Sequence, residues 1–227
     1  MLDLENSRIM EEIETLSSRK RWQEIRDMLL LFEPADTAAI LAELPEDRLP
    51  LVYRLLPKEL AAEVFVEMDP EEQEQLIQTF SDTELKEVLD ELYVDDTVDL
   101  IEEMPASVVK RILRHTDPET RRSVNEILKY PEDSAGSIMT TEFVDLKRDM
   151  TVADALKRIR RTGVDKETIN ICYVTDPSRH LLGLVSIRTL LLADQEDAIE
   201  EIMETNVVSA ATMDDKEDVA QSLSKYD

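Results

Sequence analysis

Apolar residues in the first 130 positions come in short clusters at helical spacing. Leu60, Val64 and Met68 form one set, Leu85, Leu89 and Leu92 another, and Val108, Ile112 and Leu113 a third. Each cluster is cut off by a proline or an Asp-rich joint: Pro34, Pro45, Pro57, Pro70, Asp82, Asp95, Pro105, Pro118 and Pro131. The step of roughly 10 to 13 residues suits one short helix plus its connection. Several joints carry helix-start chemistry. Asp69-Pro70 and Asp117-Pro118 put an N-cap acceptor before a proline at the first helical position, and Ser81 with Glu84 has capping-box spacing. No helix of this length buries enough to stand alone, so the segments must stack into an α-helical superhelix. A longer helix, about Asn6 to Phe32, is predicted to pack through Ile9, Ile13, Leu16, Trp22, Ile25 and Leu29.

The period changes after Tyr130-Pro131-Glu132-Asp133. Phe143 to Leu146 predicts a strand, Thr151 to Arg161 a helix with Val152, Ala155, Leu156 and Ile159 inward, and Ile171 to Val174 and Leu182 to Ile187 two more strands. Asp176-Pro177-Ser178-Arg179 joins those two strands as a hairpin connection, and a helix through Ala193 follows. The resulting β-α-β-β-α unit then restarts. An offset of 64 residues aligns Ile138-Met139 with Ile202-Met203, Val144 with Val208, Asp154 with Asp218 and Ile159 with Leu223. The second copy stops at Asp227, so the chain is expected to be a fragment whose missing β-β-α half packs on the first copy.

Composition narrows the function. There are 52 Asp and Glu against 26 Lys and Arg, a net charge of −26, with 42% hydrophobic residues. That is a globular composition in which folding crowds carboxylates together, so self-repulsion opposes compaction unless a cation answers it. Nucleic acid is excluded as a partner, since no basic stripe is present to neutralise phosphates. The three glycines all lie in the second half, which favours helix before residue 136. A lone cysteine, Cys172, allows no internal disulfide and points to a reducing compartment and a core role. No apolar run reaches the roughly 18 residues of a membrane span, and the acidic N-terminus is no signal peptide. The chain is therefore expected to be soluble and cytoplasmic. His115 and His180 lack a second ligand pattern for zinc. No EF-hand loop, phosphate-cradling glycine loop or nucleophile elbow occurs, and no catalytic constellation is found, so the chain is read as no enzyme.

The 64-residue repeat, with Ser137-Ile138-Met139-Thr140 opening its first copy and Gly183-Leu184-Val185-Ser186 on the third strand, resembles a CBS-domain pair. Asp133-Ser134-Ala135-Gly136-Ser137-Ile138-Met139 joins it directly to the acidic helical repeats. This junction resembles the cytosolic half of the MgtE family of bacterial magnesium channels, over essentially the whole chain. The resemblance implies a multi-domain protein: an N-terminal helix (1–32) on an acidic α-superhelical domain (33–130), then a first α+β CBS domain (131–200) and the truncated start of a second (201–227). It further implies a homodimer through the CBS domains, joined to a transmembrane pore domain absent from this chain, at the cytoplasmic face of the membrane. Its role would be to sense Mg²⁺, bound ions holding the acidic domains together and keeping the pore closed.

By that resemblance the Mg²⁺ ligands would be Glu63, Asp95 and Asp99 in the helical half and Asp215, Glu217 and Asp227 in the CBS half. Asp95 and Asp99 stand four apart, so a helix puts both on one face, where they repel without a cation. The alternative is that Asp95 or Asp96 caps a helix and Asp99 is solvated. For Asp215 and Glu217 the alternative is helix-start acidity near the macrodipole's positive end. Mg²⁺ needs only one or two carboxylates plus waters. Swinging a closure equilibrium takes roughly 5.5 kcal/mol. One weak site at ten times its Kd gives about 1.4 kcal/mol, so about four sites are needed. CBS pairs also bind adenine nucleotides, and Tyr173 and Arg188 occupy positions that could contact ATP. Thr189, however, stands where ribose-binding copies place an Asp. Two rival readings therefore remain: a nucleotide-sensing CBS protein, and an ion-indifferent helical scaffold.

Overall fold

A computed structural model describes residues 2–225, so the expected ligand Asp227 lies outside the described residues. The chain divides into two compact units. One runs to Leu92 and takes in Asp96–Arg122; the other comprises Tyr93–Asp95 and Ser123 onward.

The first unit is helical. Its segments are α1 (Leu2–Ser18), α2 (Trp22–Leu29), α3 (Pro34–Ala42), α4 (Leu49–Tyr53), α5 (Lys58–Val66), α6 (Pro70–Thr79), α7 (Asp82–Leu89), α8 (Val94–Glu103), α9 (Ala106–His115) and α10 (Pro118–Ile127), the first residues of α8 and the last of α10 counting with the second unit. Prolines start them as the joints predict, at the first turn of α3 and α6 and as the N-cap residue of α5 and α9, whereas α4 carries Pro50 in its first turn and the expected joint Pro45 lies ahead of it. Alternate helices stack, α3 on α5, α5 on α7 and α7 on α9, with α4 on α6 alongside. Each contributes a narrow buried stripe: Leu41, Val64, Phe65, Leu76, Ile77, Leu85 and Ile112 are all at most 1% exposed. This is the solenoid solution to helices too short to fold alone.

The long N-terminal helix is corrected to two. Lys20 takes a left-handed backbone, φ 56°, and ends α1 with the paired bonds of a Schellman motif, Arg21 N–H to Leu16 C=O (2.9 Å) and Lys20 N–H to Ser17 C=O (3.0 Å). The apolar spacing spans the break because α2 turns back onto α1. Ile13, Leu16, Ile25 and Leu29 are all buried, as expected, while Ile9 and Trp22 are half-buried. Of the predicted caps, Asp117 accepts from the Glu119 and Thr120 amides (2.8 and 3.1 Å), and Ser81 with Glu84 closes a reciprocal capping box. Asp69 sits at the N-cap of α6 without accepting a cap bond.

The second unit holds a three-stranded sheet, β1 (Phe143–Leu146), β2 (Thr168–Thr175) and β3 (Leu181–Ser186), in that order. β1 runs parallel to β2 and β2 antiparallel to β3. α11 (Val152–Thr162), a short 3₁₀ turn (Gly163–Asp165) and α12 (Ile187–Leu192) complete the β-α-β-β-α order. Val144, Leu146, Val152, Ala155, Ile159, Cys172, Val174, Val185 and Leu190 form its core. Two further helices follow, α13 (Ile199–Ile202) and α14 (Lys216–Leu223).

The 64-residue repeat reappears as reciprocal pairing. Ser134, ahead of the first copy, bridges Asp215, which caps the helix of the second; Ala198, ahead of the second, bridges Thr151, which caps the helix of the first. Both members of each equivalent pair are 64 residues apart. The flanking bonds follow the same rule. Ala135 N–H to Asp214 C=O matches Ile199 N–H to Met150 C=O, and Lys216 N–H to Asp133 C=O matches Val152 N–H to Asp197 C=O, each 2.8 to 2.9 Å. The lead-in of each copy thus fastens the other. Two glycines permit the close approach. A Cβ on Gly136 would lie 2.8 Å from Thr212 O, and one on Gly183 2.5 Å from Glu204 O, where Leu184 and Glu204 exchange two backbone bonds.

Candidate metal and nucleotide sites

In the helical half, α5 carries Glu63 and α8 carries both Asp95 and Asp99. Glu63 and Asp99 are exposed and Asp95 is half-buried. α8 starts at Val94, so neither Asp95 nor Asp96 is its N-cap; both lie in its first turn, where the helix dipole favours a carboxylate. The helical spacing therefore holds, but the grouping differs from the expected one. Asp96, Asp99, Glu102 and Glu103 line one cleft of about 390 Å³ with Phe65, Met68, Gln73 and Leu100, and neither Glu63 nor Asp95 lines it. Asp96 and Glu103 are three residues before and four after Asp99, a spacing legible in the sequence once α8 is drawn.

In the CBS half, Asp215 is the N-cap of α14. Its Oδ1 accepts from the Glu217 amide (2.9 Å) and the Asp218 amide (3.2 Å), the helix-start role weighed against metal binding. Asp215 also lines a cleft of about 260 Å³ with Asp214 and Asp218, whereas Glu217 is exposed beside it. Among the described residues, no group of three or more His, Cys, Asp or Glu side chains is arranged to hold a metal ion. Every candidate donor is nonetheless a carboxylate oxygen, the chemistry a hard divalent cation prefers, and Mg²⁺ keeps several of its waters.

Tyr173 lies on β2 opposite Asp145 and Leu184, and its ring meets that of Phe143 edge-on at 5.0 Å. Arg188 is exposed near the start of α12. Thr189 has its hydroxyl 2.9 Å from Ser186 Oγ, which also accepts the Thr189 amide as the cap of α12. The threonine that replaces a ribose-binding Asp is thus part of the helix start. Cys172 is wholly buried, and burial pushes its thiol up to about 11, which removes it as a nucleophile or ligand. His115 Nε2 lies 3.4 Å from Asp82 and His180 Nδ1 2.9 Å from Asp176, each with one carboxylate.

Residues 32–133 match the family described as MgtE intracellular N domain, and residues 135–196 match the CBS domain. The chain is 37% identical to a magnesium transporter MgtE of Thermus thermophilus, over 96% of this chain and 50% of that protein. It is 28% identical to the MgtE of Bacillus subtilis, over 90% and 46%. It therefore spans about half the length of these relatives. Among solved structures, the cytosolic domain of the Mg²⁺ channel MgtE in complex with ATP superposes with a TM-score of 0.88 at 35% identity, covering 96% of this chain and 89% of that one. The soluble part of a magnesium transporter gives 0.85 at 27% identity, covering 97% and 87%. No described helix is long and apolar enough to cross a membrane. An acidic helical unit followed without a break by a CBS fold, matched along nearly its whole length, places this chain in the MgtE family.

Proposed function

We propose that this chain is a cytosolic Mg²⁺-sensing regulatory module, not an enzyme, and acts on a transmembrane pore domain at the cytoplasmic face of the membrane as a homodimer through its CBS domains. The observation that carries the reading is the gathering of carboxylates on α8, four of which (Asp96, Asp99, Glu102 and Glu103) line one cleft, in a chain of net charge −26. Glu63, Asp95 and Asp99 from the helical half, with Asp215, Glu217 and Asp227 from the CBS half, would hold Mg²⁺ with its waters. Bound Mg²⁺ relieves repulsion between acidic faces, so the compact form binds it better and rises in population, favouring pore closure. A weak, distributed set of sites gives the required shift as a sum of small contributions.

The test is a Mg²⁺ titration followed by small-angle scattering and thermal melting. Millimolar Mg²⁺ should compact and stabilise the protein, and Asp95→Asn with Asp99→Asn should shrink the Mg²⁺-induced rise in melting temperature. An unaltered Mg²⁺ response in the double variant removes that site; no response in the parent chain removes the reading. Asp215→Asn separates cap from ligand, because asparagine caps α14 nearly as well but is a weaker ligand for a divalent cation.

Nucleotide binding is a second reading, favoured by the ATP complex of the solved relative and by the exposed position of Arg188. Calorimetry with ATP, with and without Mg²⁺, decides it: Arg188→Ala should weaken binding, and heat that is absent in the parent chain excludes it.

A further inference from the structure

We propose that the cleft along the free edge of β1 is an anion site that takes a small phosphate-bearing ligand. The cleft measures about 540 Å³, within the span of small-molecule sites. Among the described residues, Lys147, Arg158, Lys166 and Arg179 line it with a single carboxylate, Asp145. Four cations to one anion reverses the balance of the whole chain, which has twice as many acids as bases.

The charges are not equally available. Arg158 is committed to Asp145, binding its carbonyl through Nε (2.6 Å) and its carboxylate through Nη2. Lys166 is partly answered by the Glu142 carboxylate, with which it interacts electrostatically, and Glu167 is next to it in sequence. Lys147 donates to Thr175 Oγ1 (2.8 Å) and pairs more loosely with Asp145 Oδ2 (3.4 Å), Arg158 holding the other oxygen. None of the ion pairs among the described residues involves Arg179, and the nearby Asp176 accepts from His180 instead. The uncompensated charge is therefore that of Arg179, with Lys147 and Thr175 also lining the cleft.

The backbone of Arg179 supplies an independent reason. Its φ is 67°, in the left-handed region. Arg179 N–H bonds Asp176 C=O and Asp176 N–H bonds His180 C=O, both 3.0 Å, and the β2–β3 ladder slips at Val174/Thr175. This is a turn closing on a bulge, where glycine fits without a steric cost. The turn would close better with glycine, so what arginine adds is its side chain, a planar fork matched to phosphate oxygens. The site is separate from the Tyr173 and Arg188 positions, neither of which lines the cleft.

The experiment is isothermal titration of the chain with pyrophosphate in the absence of divalent cations, comparing Arg179→Gly, Lys147→Gln and Arg188→Ala. Saturable binding is expected, weakened on the order of tenfold or more by Arg179→Gly as one charge-assisted pair is lost. Lys147→Gln should also weaken it, and Arg188→Ala should leave it unchanged. Arg179→Gly should melt no lower than the parent, which separates lost binding from lost folding. Absence of saturable binding, equal affinity in Arg179→Gly, or loss of binding in Arg188→Ala overturns the proposal.

Discussion

Glu84 shows how the few cations of the helical unit are placed. Its Oε2 accepts the Ser81 amide (2.7 Å) to close the capping box, while Oε1 takes Arg54 Nε (2.6 Å). Arg54 also reaches Thr79 C=O (3.1 Å), and Arg111 similarly donates to the Ile77 and Phe80 carbonyls, so these arginines satisfy the exposed C-terminus of α6 beside the start of α7. The Arg54 hydrogen bond, then the Ser81 amide, holds the Glu84 carboxyl down to about 2 from its ordinary 4.5. A depressed carboxylate contributes stability that is complete above pH 4.5 and lost as pH falls towards 2. Both side chains are about one-third exposed, so after solvent screening the contribution is about 1 kcal/mol. Glu84→Gln should therefore cost about 1 kcal/mol at neutral pH, and the difference from the parent should vanish near pH 2. Urea denaturation across that range checks it; a pH-independent difference would show that the charge is immaterial. The box itself was legible from Ser81–Glu84 spacing. Its partner was not, because Arg54 is thirty residues away and local spacing says nothing of which helices stack.

At the level of elements, the break between α1 and α2 and the seam at Gly183 depend on backbone geometry. Lys20 holds a left-handed C′ position that glycine usually takes, so the sequence lacks its usual stop signal and the apolar period reads as one helix. Lys20→Gly should leave the fold intact and stabilise it by up to about 1 kcal/mol, relief of the left-handed strain exceeding the added entropy of the unfolded chain. A lowered melting temperature would contradict this. Gly183→Ala should do the reverse, because its Cβ would press on a backbone oxygen that cannot rotate away. A loss of about 1–3 kcal/mol is expected, with faster hydrogen exchange at the Leu184 and Glu204 amides, which bond across that seam. Strands and helices of the CBS half were legible to within a few residues, since alternation and caps are local. That Gly183 is a contact point was not, as its neighbour belongs to the next copy.

On the scale of the whole molecule, charge opposes the fold while repetition organises it. At −26, mutual repulsion should make stability rise with salt: moving from about 0.01 M to 0.15 M shortens the screening length from about 30 to 8 Å. A melting temperature that rises with NaCl in the absence of Mg²⁺ is the expected outcome; a flat or falling curve would mean the carboxylates are already neutralised within the fold. The site residues divide along similar lines. Asp95 and Asp99 share α8 as their spacing required, but the cleft gathers Asp99 with Asp96, Glu102 and Glu103 instead of Glu63 and Asp95. Spacing fixes which carboxylates share a helix face, whereas which face borders a cleft depends on the helix stacked beside it.

From the residues alone came the short-helix solenoid, the β-α-β-β-α unit, its 64-residue repeat and the acidic balance, because helical period, strand alternation, capping and net charge are properties of neighbouring positions. Only the tertiary structure decided that Ser134 and Ala198 fasten each other's copy, and that scattered Lys147, Arg158 and Arg179 line one cleft beside the edge strand. Those outcomes depend on pairing between segments far apart in the chain, and long-range pairing is set by which surfaces bury together.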